Sequence, residues 1–160
     1  MDDGSAPFMF GLHPYWRVAD VSKTVITFDP CSNWNYIEVT PAPDLIPTGH
    51  FKPVGPPFDG SSTIGGNFTN PTQYDAGFKA ITPGNKCPYL HTTIEDGDDR
   101  LVLKMDRSFR FLQIYTGAPE KGVAVEPQAG ETNCWNNKDA VIALLAGETW
   151  NGRFELAINQ

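Results

Sequence analysis

No apolar run in the 160-residue chain approaches the roughly 18 residues that cross a bilayer as a helix, so no membrane partner is expected. Charge is also sparse. Charged residues are only 19% of the chain and form no like-charge block, which excludes an electrostatic tail. Cations are scarcer than acids: 12 Lys and Arg against 19 Asp and Glu, a formal charge of −7. Such a surface repels a phosphate backbone, so nucleic acid is not an expected partner, whereas a neutral or cationic ligand suits it. Cysteine is rare, with only Cys31, Cys87 and Cys134 far apart and no C-x-x-C spacing. A sequence-local metal site is therefore not supported, and the odd count suits a reducing compartment. The start, Met1-Asp2-Asp3-Gly4-Ser5, lacks the apolar centre of a signal peptide. On that basis Asn67-Phe68-Thr69 reads as a chance glycosylation sequon, and the expectation is a cytoplasmic protein.

What is present suffices for one packed domain over residues 1–160. Hydrophobic residues make up 40% and aromatics 12%, too much for a disordered chain. Glycine (15) and proline (14) together are about 18% of the chain, against about 12% in ordinary usage. They mark turns at Thr40–Asp44, Val54–Pro57, Asn70–Thr72, Thr82–Asn85 and Glu95–Asp99. Between turns lie runs of period two, the signature of strands with two distinct faces. Leu101, Leu103 and Met105 share one face; Phe109, Phe111, Gln113 and Tyr115 share another; so do Phe154, Leu156 and Ile158. Thr24–Phe28 is β-branched and aromatic. Only Asp139–Leu145 could be helical, and its end is equally strand-like. The class is all-β with sandwich-like spacing. Several apolar faces need a partner sheet, so the chain reads as a small sandwich or as half of a larger one.

Four clusters could carry chemistry. In Phe10-Gly11-Leu12-His13-Pro14-Tyr15-Trp16 the proline biases His13 toward an extended backbone, fixing where its ring points, and an imidazole exchanges protons near neutral pH. In Val123-Ala124-Val125-Glu126-Pro127-Gln128, burial of Val123 and Val125 turns Ala124 and Glu126 to the opposite face, where a partly desolvated carboxylate makes a better base. Gln73-Tyr74-Asp75-Ala76-Gly77-Phe78 flanks an acid with aromatics. Gln113 lies between Phe111 and Tyr115, an amide among rings of the kind that binds sugars. Taken singly, each has an ordinary structural reading: a packed histidine, a strand-end Glu, an Asp turn, a sheet-packed Gln. Their order along the chain is what raises them.

That order resembles the aldose 1-epimerase (galactose mutarotase) family. Gly11-Leu12-His13-Pro14-Tyr15-Trp16 is similar to its histidine motif. Asp44-Leu45-Ile46-Pro47-Thr48-Gly49 and Val54-Gly55-Pro56-Pro57-Phe58-Asp59 resemble its Pro-Thr-Gly turn and Pro-Phe-Asp step. Tyr74-Asp75-Ala76-Gly77-Phe78 resembles its substrate loop, and Gln113-Ile114-Tyr115-Thr116-Gly117 its Gln-x-Tyr-Thr-Gly strand. Val125-Glu126-Pro127-Gln128 and Leu145-Ala146-Gly147-Glu148-Thr149-Trp150 resemble its ending. The resemblance implies the C-terminal half of a galactose mutarotase-like β-sandwich, or supersandwich. It also implies interconversion of the α and β anomers of a free hexose without a metal or other cofactor. Glu126 matches the general base at the anomeric hydroxyl and His13 the general acid at the ring oxygen. Asp75 and Gln113 match residues that hold substrate hydroxyls. Two positions depart from the pattern: Trp16 replaces a commoner phenylalanine, and Ala76 stands where many members carry histidine. The arginine and second histidine of the family's first half have no counterpart; His50 and His91 stand in no matching motif.

Two other functions fit the same residues: a non-catalytic carbohydrate-binding module, and a hexose-6-phosphate epimerase, for which Arg17, Arg107 and Arg110 are available without a spacing that unites them. A half-sandwich exposes sheet edges, so a homo-oligomer or a complementary half is an expected partner. The decisive expectation is that His13 and Glu126 face one cleft with Asp75 and Gln113 on its wall.

Overall fold

The computed structural model describes residues 4–28, 33–54, 75–81, 87–116, 122–138 and 140–159. The predicted turns at 55–57, 70–72 and 82–85, the Asn67 sequon, Cys31, Asp59, Tyr74 and Gly117 lie outside them. The described strands are β1 (Ala6–Phe8), β2 (Tyr15–Arg17), β3 (Val25–Phe28), β4 (Asn33–Val39), β5 (Pro47–Val54), β6 (Asp75–Ile81), β7 (Tyr89–Asp96), β8 (Asp99–Asp106), β9 (Phe111–Tyr115), β10 (Gly122–Gln128), β11 (Ile142–Leu144) and β12 (Phe154–Asn159). A single helical turn, α1 (Cys134–Asn137), precedes β11. The strands form three antiparallel sheets, of order β2-β10-β9-β6-β4-β5, β12-β8-β7-β3 and β1-β11.

The two larger sheets stack as a sandwich, which the all-β reading anticipated. Phe78, Leu112, Ile114, Val123 and Val125 from one sheet meet Ile26, Phe28, Leu90, Ile94, Leu103 and Met105 from the other in a single buried core. The two-residue alternation sorts each strand between this core and the outer face. The acidic turn at Glu95–Asp99 is a tight hairpin. Asp96 pairs with Asp99, and Gly97 takes the left-handed backbone (φ 63°) that the turn requires.

Three local expectations change. Phe109 does not share the face of Phe111, Gln113 and Tyr115. A turn ties the Phe109 N–H to the Asp106 carbonyl and the Ser108 N–H to the Asp106 carboxylate. Alternation therefore restarts at Phe111 and sends Phe109 into the core. The end of Asp139–Leu145 is strand β11, and the helical turn before it is too short to leave a periodic signal. The cysteines also read differently. Cys134 is a buried free thiol, but Cys87 is disulfide-bonded, a state that a reducing compartment disfavours. Among the described residues no helix is long and apolar enough to cross a membrane.

The sheet edges are unlike one another. β5 closes one end of the six-stranded sheet and carries Pro47 and Pro53, residues that sheets tolerate at their edges. At the other end, among the described residues, β2 pairs only with β10. Tyr15 to Val18 line a cavity jointly with Ile158 of β12, the edge of the second sheet. Phe154, Leu156 and Ile158 do share a face of β12, as their spacing implied, and all three are exposed.

An aromatic cluster caps one end of the core. Trp150 lies 5.4 Å from Phe8, 5.4 Å from Phe10 and 5.5 Å from Phe109, centroid to centroid. A Cβ at Gly152 would stand 2.4 Å from the Trp150 ring and 2.9 Å from that of Phe109. Neither ring can retreat without unpacking its neighbours. Gly152→Ala is therefore expected to destabilise the fold by about 1–3 kcal/mol, the usual cost of overpacking. Urea unfolding should show a lower midpoint at unchanged slope; an unchanged midpoint contradicts this packing.

Candidate active site

Strand pairing assembles the site on the outer face of the six-stranded sheet. Val123 and Val125 point into the core, so Glu126 and Gln128 project from the other side of β10, as the alternation implied. Glu126 pairs with Gln113 on β9, and Gln113 pairs with Gly77 on β6. One step along, Tyr115 pairs with Asp75. His13 arrives from outside the strands. Gly11 bridges to Gln128, the Leu12 N–H donates to the Pro127 carbonyl, and Pro14 leads into β2. The His13 ring then stacks on Tyr15, with centroids 4.9 Å apart.

This crossing brings His13 Nε2 to 3.1 Å from Glu126 Oε1. The Gln128 amide donates to the other carboxylate oxygen, Oε2, at 3.4 Å, and the Gln113 amide donates to Asp75. His13, Glu126, Asp75 and Gln113 all line one cavity of about 640 Å³, within the size of small-molecule sites, about 300–1,000 Å³. All four candidates thus meet in one place. The acid and base candidates are in direct contact rather than merely facing each other. His50 and His91 lie on β5 and β7 and do not line the cavity.

The electrostatics follow from burial. Glu126 is 5% exposed, and desolvation pushes its carboxyl above the ordinary carboxylate range, while His13 and the Gln128 hydrogen bond pull it down and Asp75 adds a smaller upward push. The carboxylates of Asp44, Asp75 and Glu126 line the cavity, and no Lys or Arg does among the described residues. Arg17 lines the separate cavity beside β12. Among the described residues no three His, Cys, Asp or Glu side chains cluster as a metal site.

Several site residues carried no advance signal of their role. The turn at Thr40–Asp44 was legible as a turn, but its placement as cavity wall, through Pro43, Asp44 and Leu45, depends on how distant strands are ordered. Gly77 matters because a Cβ there would meet Gln113 Oε1 at 3.0 Å and Ile37 at 3.1 Å. Glycine is what leaves room for the amide between β9 and β4.

The family model for aldose 1-epimerase matches residues 1–157. The chain belongs to the aldose 1-epimerase family. Among solved structures, a galactose mutarotase-like protein from Clostridium acetobutylicum superposes with a TM-score of 0.71 at 19% identity, covering 98% of this chain and 48% of that one. A Synechocystis structure superposes with a TM-score of 0.60 at 17% identity, covering 97% of this chain and 46% of that one. At such identities the likeness establishes the fold, a galactose mutarotase-like sandwich. This aldose 1-epimerase family chain spans about half the length of the solved structures it matches. No curated protein matches the chain with significance.

Proposed function

We propose that this chain carries the acid–base centre of a mutarotase acting on a free, uncharged hexose. The observation that supports this most is the His13–Glu126 contact, made inside a sugar-sized cavity that Asp75 and Gln113 also line. Opening a hexopyranose requires a proton removed from O1 and one delivered to the ring oxygen. Glu126, a carboxylate strengthened as a base by burial, takes the first. His13, as imidazolium, delivers the second as the C1–O5 bond breaks. The resulting aldehyde rotates about C1–C2. Reclosure returns the ring-oxygen proton to His13 and the Glu126 proton to O1, so each group ends as it began and the reaction is redox-neutral. Asp75 and Gln113 hold the remaining hydroxyls, an acceptor beside an amide that both accepts and donates.

The cavity wall bears on the choice among readings. A sugar phosphate would meet the carboxylates of Asp44, Asp75 and Glu126 with no lining Lys or Arg among the described residues, which disfavours the hexose-6-phosphate alternative. α-Glucose and α-galactose should mutarotate faster with protein than in buffer, and α-glucose 6-phosphate should gain at least about tenfold less. Polarimetry or NMR exchange on fresh anomers measures both. Sugar binding without faster exchange, by folded protein, establishes the binding-module reading instead; a preference for the phosphate establishes the third.

A further inference from the structure

We propose that Gln128 is the positioning residue of this centre, holding the Glu126 carboxylate so that one oxygen is left for proton exchange; this rests on reading Glu126 as the base. The two oxygens of Glu126 have different partners. Oε1 meets His13 at 3.1 Å, and Oε2 accepts from the Gln128 amide at 3.4 Å. A carboxylate gripped at one oxygen keeps its plane when substrate displaces the contact at the other. An amide suits this task because it donates a hydrogen bond without giving up its proton at neutral pH. It therefore stabilises the ionised base without competing for its chemistry.

Gln128 is itself held. It follows Glu126 by two residues on β10 and so shares the outer face. Its backbone bridges Gly11, and its Cγ lies only 3.3 Å from where a Cβ on Gly11 would be. Glycine at position 11 is what lets the two chains approach with the Gln128 stem between them. The same crossing carries His13 over the end of β10. A single crossing thus sets both the place of the acid and the orientation of the base.

Among the described residues, the titratable groups that share the cavity with Glu126 are His13 before β2, Tyr15 on β2, Tyr115 on β9, Asp75 on β6 and Asp44 in the β4–β5 loop. Gln128→Met keeps the length of the side chain and removes the donor, leaving these groups in place. Mutarotation of α-galactose should slow about tenfold, mostly in kcat, as the carboxylate loses the orientation that the hydrogen bond imposed. The lost bond favoured the ionised carboxylate, so the acid limb of the pH–rate profile should move to higher pH. Gly11→Ala, which pushes on the Gln128 stem, should move the limb the same way. The carboxyl carbon of Glu126, followed by NMR titration, should shift its midpoint upward in Gln128→Met whether or not the protein turns over sugar. A folded Gln128→Met with an unchanged midpoint overturns the proposal. Wild-type protein that does not accelerate mutarotation, but whose Glu126 midpoint still responds to Gln128, overturns the functional reading alone.

Discussion

Glu126→Gln is expected to slow anomer exchange by about 10²–10⁴-fold, the span that a positioned acid or base contributes, while the protein stays folded. The replacement is nearly isosteric. Its amide can still meet His13 on one side and Gln128 on the other, so the wall of the cavity should persist. What disappears is the one function that an amide cannot supply, the proposed acceptance of the O1 proton. Removing a desolvated carboxylate also relieves an unfavourable burial. The thermal midpoint near neutral pH should accordingly hold or rise. Polarimetry on fresh α-galactose together with a calorimetric scan checks both parts. A rate within tenfold of wild type would remove Glu126 from the chemistry.

His13→Asn is expected to cost a similar factor, with an added signature. In the proposed mechanism the imidazole supplies the proton for the ring oxygen, and asparagine offers none. In its charged form His13 also lowers the pKa of Glu126. Without it, burial and Asp75 act on the carboxyl less opposed, so Glu126 should ionise at a higher pH. Activity that depends on ionised Glu126 falls as pH drops through that value. The residual rate of His13→Asn should therefore lose its acid side at higher pH than wild type does. An acid limb that stays in place, measured as log kcat/KM against pH, would mean that the two groups are not electrostatically coupled. His13 is about half exposed while Glu126 is buried, so replacement should perturb the fold little.

Much of the candidate site's placement was legible because its residues sit on strands with a two-residue alternation. The spacing of Val123 and Val125 puts them on one face, and their burial turns Glu126 to the other. Gln113 shares a face with Phe111 and Tyr115, as period two implied. Asp75 and His13 were harder, since one begins its strand and the other lies in a crossing. Their place came from the order of motifs rather than from local pattern. What escaped notice has a common cause. β5 carries Pro47, Gly49 and Pro53, which mimic a loop until the strand is known to be an edge. Phe109 has the parity of Phe111 in the sequence, but the Asp106 turn breaks the alternation and sends it into the core. Leu45 and Gly77 acquire their roles only through the order β9-β6-β4-β5, and sheet order is a long-range property that no window of sequence contains.

The contrast between the two margins of the large sheet has a directional consequence. Along β5, the prolines lack the N–H groups on which an added strand would zip, whereas β2 carries no proline. The proline block is thereby one-sided: it guards the far rim and has no counterpart within β2.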